Sequence, residues 1–165
     1  MPASPERLLE IYLADHAAAA TAGLELARRV ARSNASTPFG EPLRRLAGDI
    51  EEDRQALKRV VTKLAFRESR LKQAFAWAGE RAGRLKPNGQ VKGYSPLSRV
   101  LELEALSVGI AGKLALWQSL QLLTHVRERL PDLDLEELAE RARSQRDEVE
   151  KQRREAVSKA FGSTL

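Results

Sequence analysis

The chain has no cysteine, which excludes disulfides, thiolate metal sites and cysteine nucleophiles and suits a reducing cytoplasm. Aromatic residues are only 5% of the total, and β-branched residues are also few, which disfavours sheet. Long hydrophobic runs are missing: the most apolar stretch, Ala105 to Leu116, is interrupted by Lys113 and is too short to span a bilayer. Met1 to Glu10 contains neither a basic segment nor a long apolar one, so no signal peptide is expected. There is no Gly-x-Ser-x-Gly elbow, Walker loop or Rossmann glycine run; Gly79, Gly83 and Gly89 have neither the spacing nor a preceding strand.

What remains is a helix-forming mixture dominated by alanine, leucine, arginine and glutamate. The 165 residues, 42% apolar and 31% charged, suffice for one soluble domain spanning 1–165. The formal net charge is +5, but it is unevenly spread. Between Lys58 and Lys92 ten Lys or Arg stand against two Glu, a local excess of +8, while the rest of the chain is slightly acidic.

Start signals recur along the chain. Ser4-Pro5-Glu6 combines a serine cap, a proline at the first helical position and an acid in the first turn. Ser95-Pro96 repeats the pattern, Asp134 caps a later segment, and Gly162 supplies a stop. The apolar periodicity predicts helices at roughly 5–33, 38–66, 69–85, 96–125 and 134–160. The resulting expectation is an all-α fold: four long antiparallel helices in an up-down-up-down bundle, with the short 69–85 helix inserted between the second and third. The connection from the second long helix to the third is either a simple excursion or a crossover. The 96–125 helix, apolar on most sides, is expected to be the most buried.

Four polar residues occupy apolar seams, one on each long helix: His16, Asp53, Glu104 and Gln152. Glu104 belongs to the line Leu97, Leu101, Glu104, Val108, Ala111. Unpaired, each buried polar group costs about 1–3 kcal/mol or more, so a shared explanation is sought. With the helices up-down-up-down and a rise of about 1.5 Å per residue, the four lie within about a turn of one level. The favoured explanation is a polar core network in which Asp53 or Glu104 pairs with His16 or an arginine. The alternative is a divalent metal or small-ligand site with His16, Asp53 and Glu104 as ligands.

Four long helices, a polar interior layer and an excursion between the second and third resemble the ferritin-like superfamily. The resemblance implies a helical bundle, and in that family interior glutamates and two Glu-x-x-His motifs bind a pair of metal ions. This sequence has no Glu-x-x-His. It reads Glu51-Glu52-Asp53-Arg54 on the second long helix and Gln145-Arg146-Asp147-Glu148 on the fourth, and His125 lies off the proposed layer. Di-iron chemistry is therefore not expected, and neither is a bound cofactor.

The basic segment offers a second kind of site. Trp77 lies off the apolar stripe of the 69–85 helix with Arg81 and Arg84 one and two turns on, and Lys86 and Lys92 follow. An indole beside guanidinium groups suits stacking on nucleobases or binding of an anion, set against a Trp77 that simply packs on the long helices. Gly79 and Gly83 give the same helix a small face for a protein partner. Trp117 reads as core. The sequence thus predicts a cytoplasmic, non-enzymatic binding or assembly module that self-associates or meets a protein partner. Metal or small-ligand binding and nucleic-acid binding are the alternatives.

Overall fold

The computed structural model describes residues 3–64 and 94–162. Among them the chain is all-helical, with α1 at Pro5–Ser33, α2 at Gly40–Lys63, α3 at Pro96–Gln121, α4 at Thr124–Arg129 and α5 at Leu135–Phe161. No helix among the described residues is long and apolar enough to cross a membrane. The expected 69–85 helix, with Trp77, Arg81, Arg84, Lys86 and Lys92, lies outside the described residues.

Local chemistry sets the helix ends. Ser4 Oγ accepts the Arg7 amide (3.3 Å) and Ser95 Oγ the Ser98 amide (3.1 Å). Asp134 Oδ1 accepts the Glu136 and Glu137 amides, both at 2.9 Å. Each satisfies orphan donors of a first turn. Gly162 closes α5 in the left-handed region, φ 72°, with its N–H on Ser158 O. Leu123 is extended (φ −98°, ψ 96°) and divides the expected 96–125 helix in two. The short α4 then buries Val126 and, just beyond it, Leu130.

Burial follows the sequence seams closely in two helices. Leu43, Leu46, Ile50, Asp53, Leu57 and Val60 of α2 are all buried, as are Leu138, Ala142, Gln145, Val149, Gln152 and Ala156 of α5. In α3 the expected seam is corrected. The buried line is Val100, Leu103, Leu106, Ile110, Leu114, Trp117 and Leu120. It is displaced by one residue, about 100° of rotation, from the line through Glu104. Leu101 and Val108 of the expected seam are 55% and 74% exposed among the described residues, and Glu104 is exposed with them. Because α3 is apolar nearly all round, its period does not select a face.

The four long helices contribute to one apolar core, and their polar cross-links fix their directions. Tyr12 Oη meets Ser119 and Arg29 meets Glu102 at 3.3 Å each, so α1 and α3 are antiparallel. Arg28 meets Glu51 across the α1–α2 turn. Lys63 pairs with Asp132 and Asp53 with Arg141, which makes α2 and α5 antiparallel. Gln121 reaches Leu135 O, and Arg153 stands 3.8 Å from Glu104, which does the same for α3 and α5. The up-down-up-down order is therefore corrected: α2 and α3 point the same way. Tyr94 Oη accepts a hydrogen bond from Asn34, at the end of α1 and near the start of α2. Leu64 and Tyr94, the described residues flanking 65–93, consequently lie at opposite ends of the long helices.

Candidate functional site

Two stripes of small residues face each other across α1 and α3. On α1, Ala20 and Gly23 follow His16 at helical spacing; on α3, Ala105, Gly109 and Gly112 do the same. The Tyr12–Ser119 and Arg29–Glu102 contacts bracket these stripes, seventeen residues apart on either helix. The small residues between these contacts leave space along the line where α1 meets α3. The result is a cleft of about 300 Å³ lined by α1, α2 and α3. A Cβ added at Gly23, Gly109 or Gly112 would meet no atom within 4 Å.

The floor is apolar, with Ile50, Leu57, Leu106 and Trp117 all buried. Its polar groups are Asp53, Arg54, Lys113 and, from α1, His16. Asp53, 2% exposed, is held from three sides. Its Oδ2 accepts from Lys113 Nζ and from Gln145 Nε2 (3.0 Å), and its Oδ1 accepts from Arg141. Lys113 Nζ also donates to Gln145 Oε1. Burial pushes the Lys113 ammonium down from its usual pKa, the Asp53 carboxylate opposes that shift, and the like charge of Arg141 adds to it. Burial likewise holds the His16 imidazole below its usual value, with Asp15 acting in the opposite sense, and Tyr12 packs edge-on against the ring at 4.5 Å.

Two donors of the cleft's lining residues stand out. Trp117 is 0% exposed, and its indole Nε1 has no hydrogen-bond acceptor among the described residues. Arg54 Nε is also buried without one. A buried donor without an acceptor is uncommon and costly, and it calls for a specific explanation.

The structure divides the expected polar layer. His16 and Asp53 share the cleft. Glu104 is at the surface beside Arg153, which corrects its placement in an interior layer. Gln152 is buried, donating to Glu148 at 3.1 Å, away from the cleft lining. Asp53 instead gathers Lys113, Arg141 and Gln145, none of which the seam argument singled out. The signal was present: Lys113 is the one charge inside the chain's most apolar stretch, and such a lysine needs a carboxylate. The described residues contain no group of three or more His, Asp or Glu placed to hold a metal ion. Two cations already attend Asp53, and their field opposes a third.

No family model matches the chain, and no curated protein or solved structure is significantly similar to it.

Proposed function

We propose that this chain is a binding module that takes a small, largely apolar molecule into the cleft between α1 and α3, within a four-helix bundle of up-down-down-up order. The bundle is supported by the shared core and the antiparallel cross-links. Four-helix bundles with a single long crossover include the ferritin-like proteins, so the proposal keeps that architecture without the family's paired metal ions.

The observation that carries the ligand reading is the open space itself. Three glycines and three alanines face a cleft of about 300 Å³, the low end of the ~300–1,000 Å³ typical of small-molecule sites. Well-packed interiors leave few voids larger than a water molecule. An apolar lining with a few polar groups at one place is the usual composition of a ligand pocket.

The test uses N-phenyl-1-naphthylamine, a neutral dye that fluoresces in apolar surroundings. Saturable one-to-one binding to the wild type is expected, with about tenfold or greater loss of affinity in Gly109→Phe, whose ring occupies apolar space that the dye needs. Circular dichroism confirms that the variant is folded. Absence of saturable binding, or unchanged affinity in a folded Gly109→Phe variant, contradicts the reading.

A further inference from the structure

Resting on that reading, we infer that the ligand is an apolar acid: a hydrocarbon or aromatic body ending in one carboxylate, whose oxygens are received by Lys113 and Arg54. The inference follows from the donors that the cleft leaves unused. An ammonium has three N–H donors, and Lys113 uses two, on Asp53 and Gln145. Arg54 forms no ion pair with the described residues, and its buried Nε has no acceptor among them.

Both groups line the cleft and both are donors. The one acidic side chain on the lining, Asp53, has both oxygens engaged. Charge points the same way. The lining carries Arg54 and Lys113 against Asp53, an excess of one positive charge. The nearby acids Asp49 and Glu52 are exposed and off the lining, and Glu52 is turned to Arg141 at 3.2 Å. A neutral apolar guest would leave the donors unsatisfied and the charge uncompensated. A carboxylate supplies acceptors for charge-assisted hydrogen bonds, while its body covers Ile50, Leu57 and Leu106. A phosphate monoester would bring about two negative charges where the lining offers a surplus of one.

Matched pairs of competitors test the assignment. Dodecanoate is set against dodecanol, and 1-naphthylacetate against 2-(1-naphthyl)ethanol, each displacing N-phenyl-1-naphthylamine at pH 7. The acid of at least one pair is expected to bind about tenfold or more tighter than its alcohol, as charge-assisted bonds allow; the pair that shows the preference tells an aliphatic body from an aromatic one. Arg54→Gln, outside the Asp53 network, is expected to reduce that ratio severalfold in a variant that circular dichroism shows to be folded. Alcohols that compete as well as or better than both acids overturn the carboxylate assignment but leave the cleft reading standing. So does a ratio unchanged in folded Arg54→Gln. Failure of the dye itself to bind overturns the cleft reading and this inference together.

Discussion

Asp53 of α2 and Lys113 of α3 form an ion pair inside the helical assembly, and Gln145 of α5 hydrogen-bonds to both partners. With Arg141 on the second carboxylate oxygen, the group ties three of the four long helices together. Charges removed from water are costly unless partnered, and here one carboxylate faces two cations. Asp53→Ala leaves the buried Lys113 with Gln145 alone, while Arg141 keeps Glu52, and is expected to cost about 3–5 kcal/mol in urea denaturation. The double variant Asp53→Leu/Lys113→Met removes the buried pair together and should cost less than Asp53→Ala alone. Equal or greater loss in the double variant would contradict this view of the network.

Glycines at opposite extremes of crowding give a second prediction. A Cβ on Gly40 would lie 2.7 Å from Asn34 O and 2.9 Å from Ala35 O, both backbone atoms of the α1–α2 turn. Gly40→Ala must therefore displace the turn, at about 1–3 kcal/mol. Gly109→Ala meets open space within a helix and should stabilise by about 0.5–1 kcal/mol. Thermal melts of the two variants should move in opposite directions.

The pH dependence of stability should carry a signature of His16. Burial lowers its folded pKa below the usual 6.5. The unfolded chain therefore takes up a proton near 6.5 while the folded chain does not, so stability is full above that pH and falls as pH drops through the interval to the folded pKa. His16→Gln should show a smaller loss of melting temperature between pH 7.5 and 5.5 than the wild type.

Tyr94 acts at the alkaline end. Its phenol is pushed up to about 12, chiefly by burial; the bond donated by Asn34 opposes the rise, and the bond to Glu102 adds to it. The unfolded chain ionises near 10 and the folded chain about two units higher, so stability is intact below pH 10 and declines between 10 and about 12. Tyr94→Phe should weaken that decline in denaturation series at pH 9 and 11. Asn34, fully buried, also donates to Val30 O at 2.8 Å and accepts from Arg99, so Asn34→Ala should cost about 1–3 kcal/mol.

The helices were legible where periodicity and punctuation agreed. In α2 and α5 one face is apolar and the other charged, and the seams read from sequence are the buried ones. The caps at Ser4, Ser95 and Asp134 and the stop at Gly162 were equally plain. In α3 leucines and valines lie on nearly every side, so the stripe through Glu104 was as good in sequence as the buried stripe through Leu103. Helix direction depends on which ends meet, information that enters only with contacts such as Tyr12–Ser119. The cleft was least visible. Small residues in a helix read as close packing, and only the spacing of α1 from α3 turns Gly23, Gly109 and Gly112 into its walls. Trp117 read as core, and it is core, but its unsatisfied indole became a feature only once its neighbours were known.

The most direct test of the central claim is a nitrogen-15-resolved NMR titration with N-phenyl-1-naphthylamine, following the backbone amides of Gly23, Gly109 and Gly112 and the indole N–H of Trp117. The account predicts saturable shifts at these four positions with one common dissociation constant. Shifts confined to the exposed side of α3, around Leu97 and Leu101, or no saturable shifts at all, would contradict it.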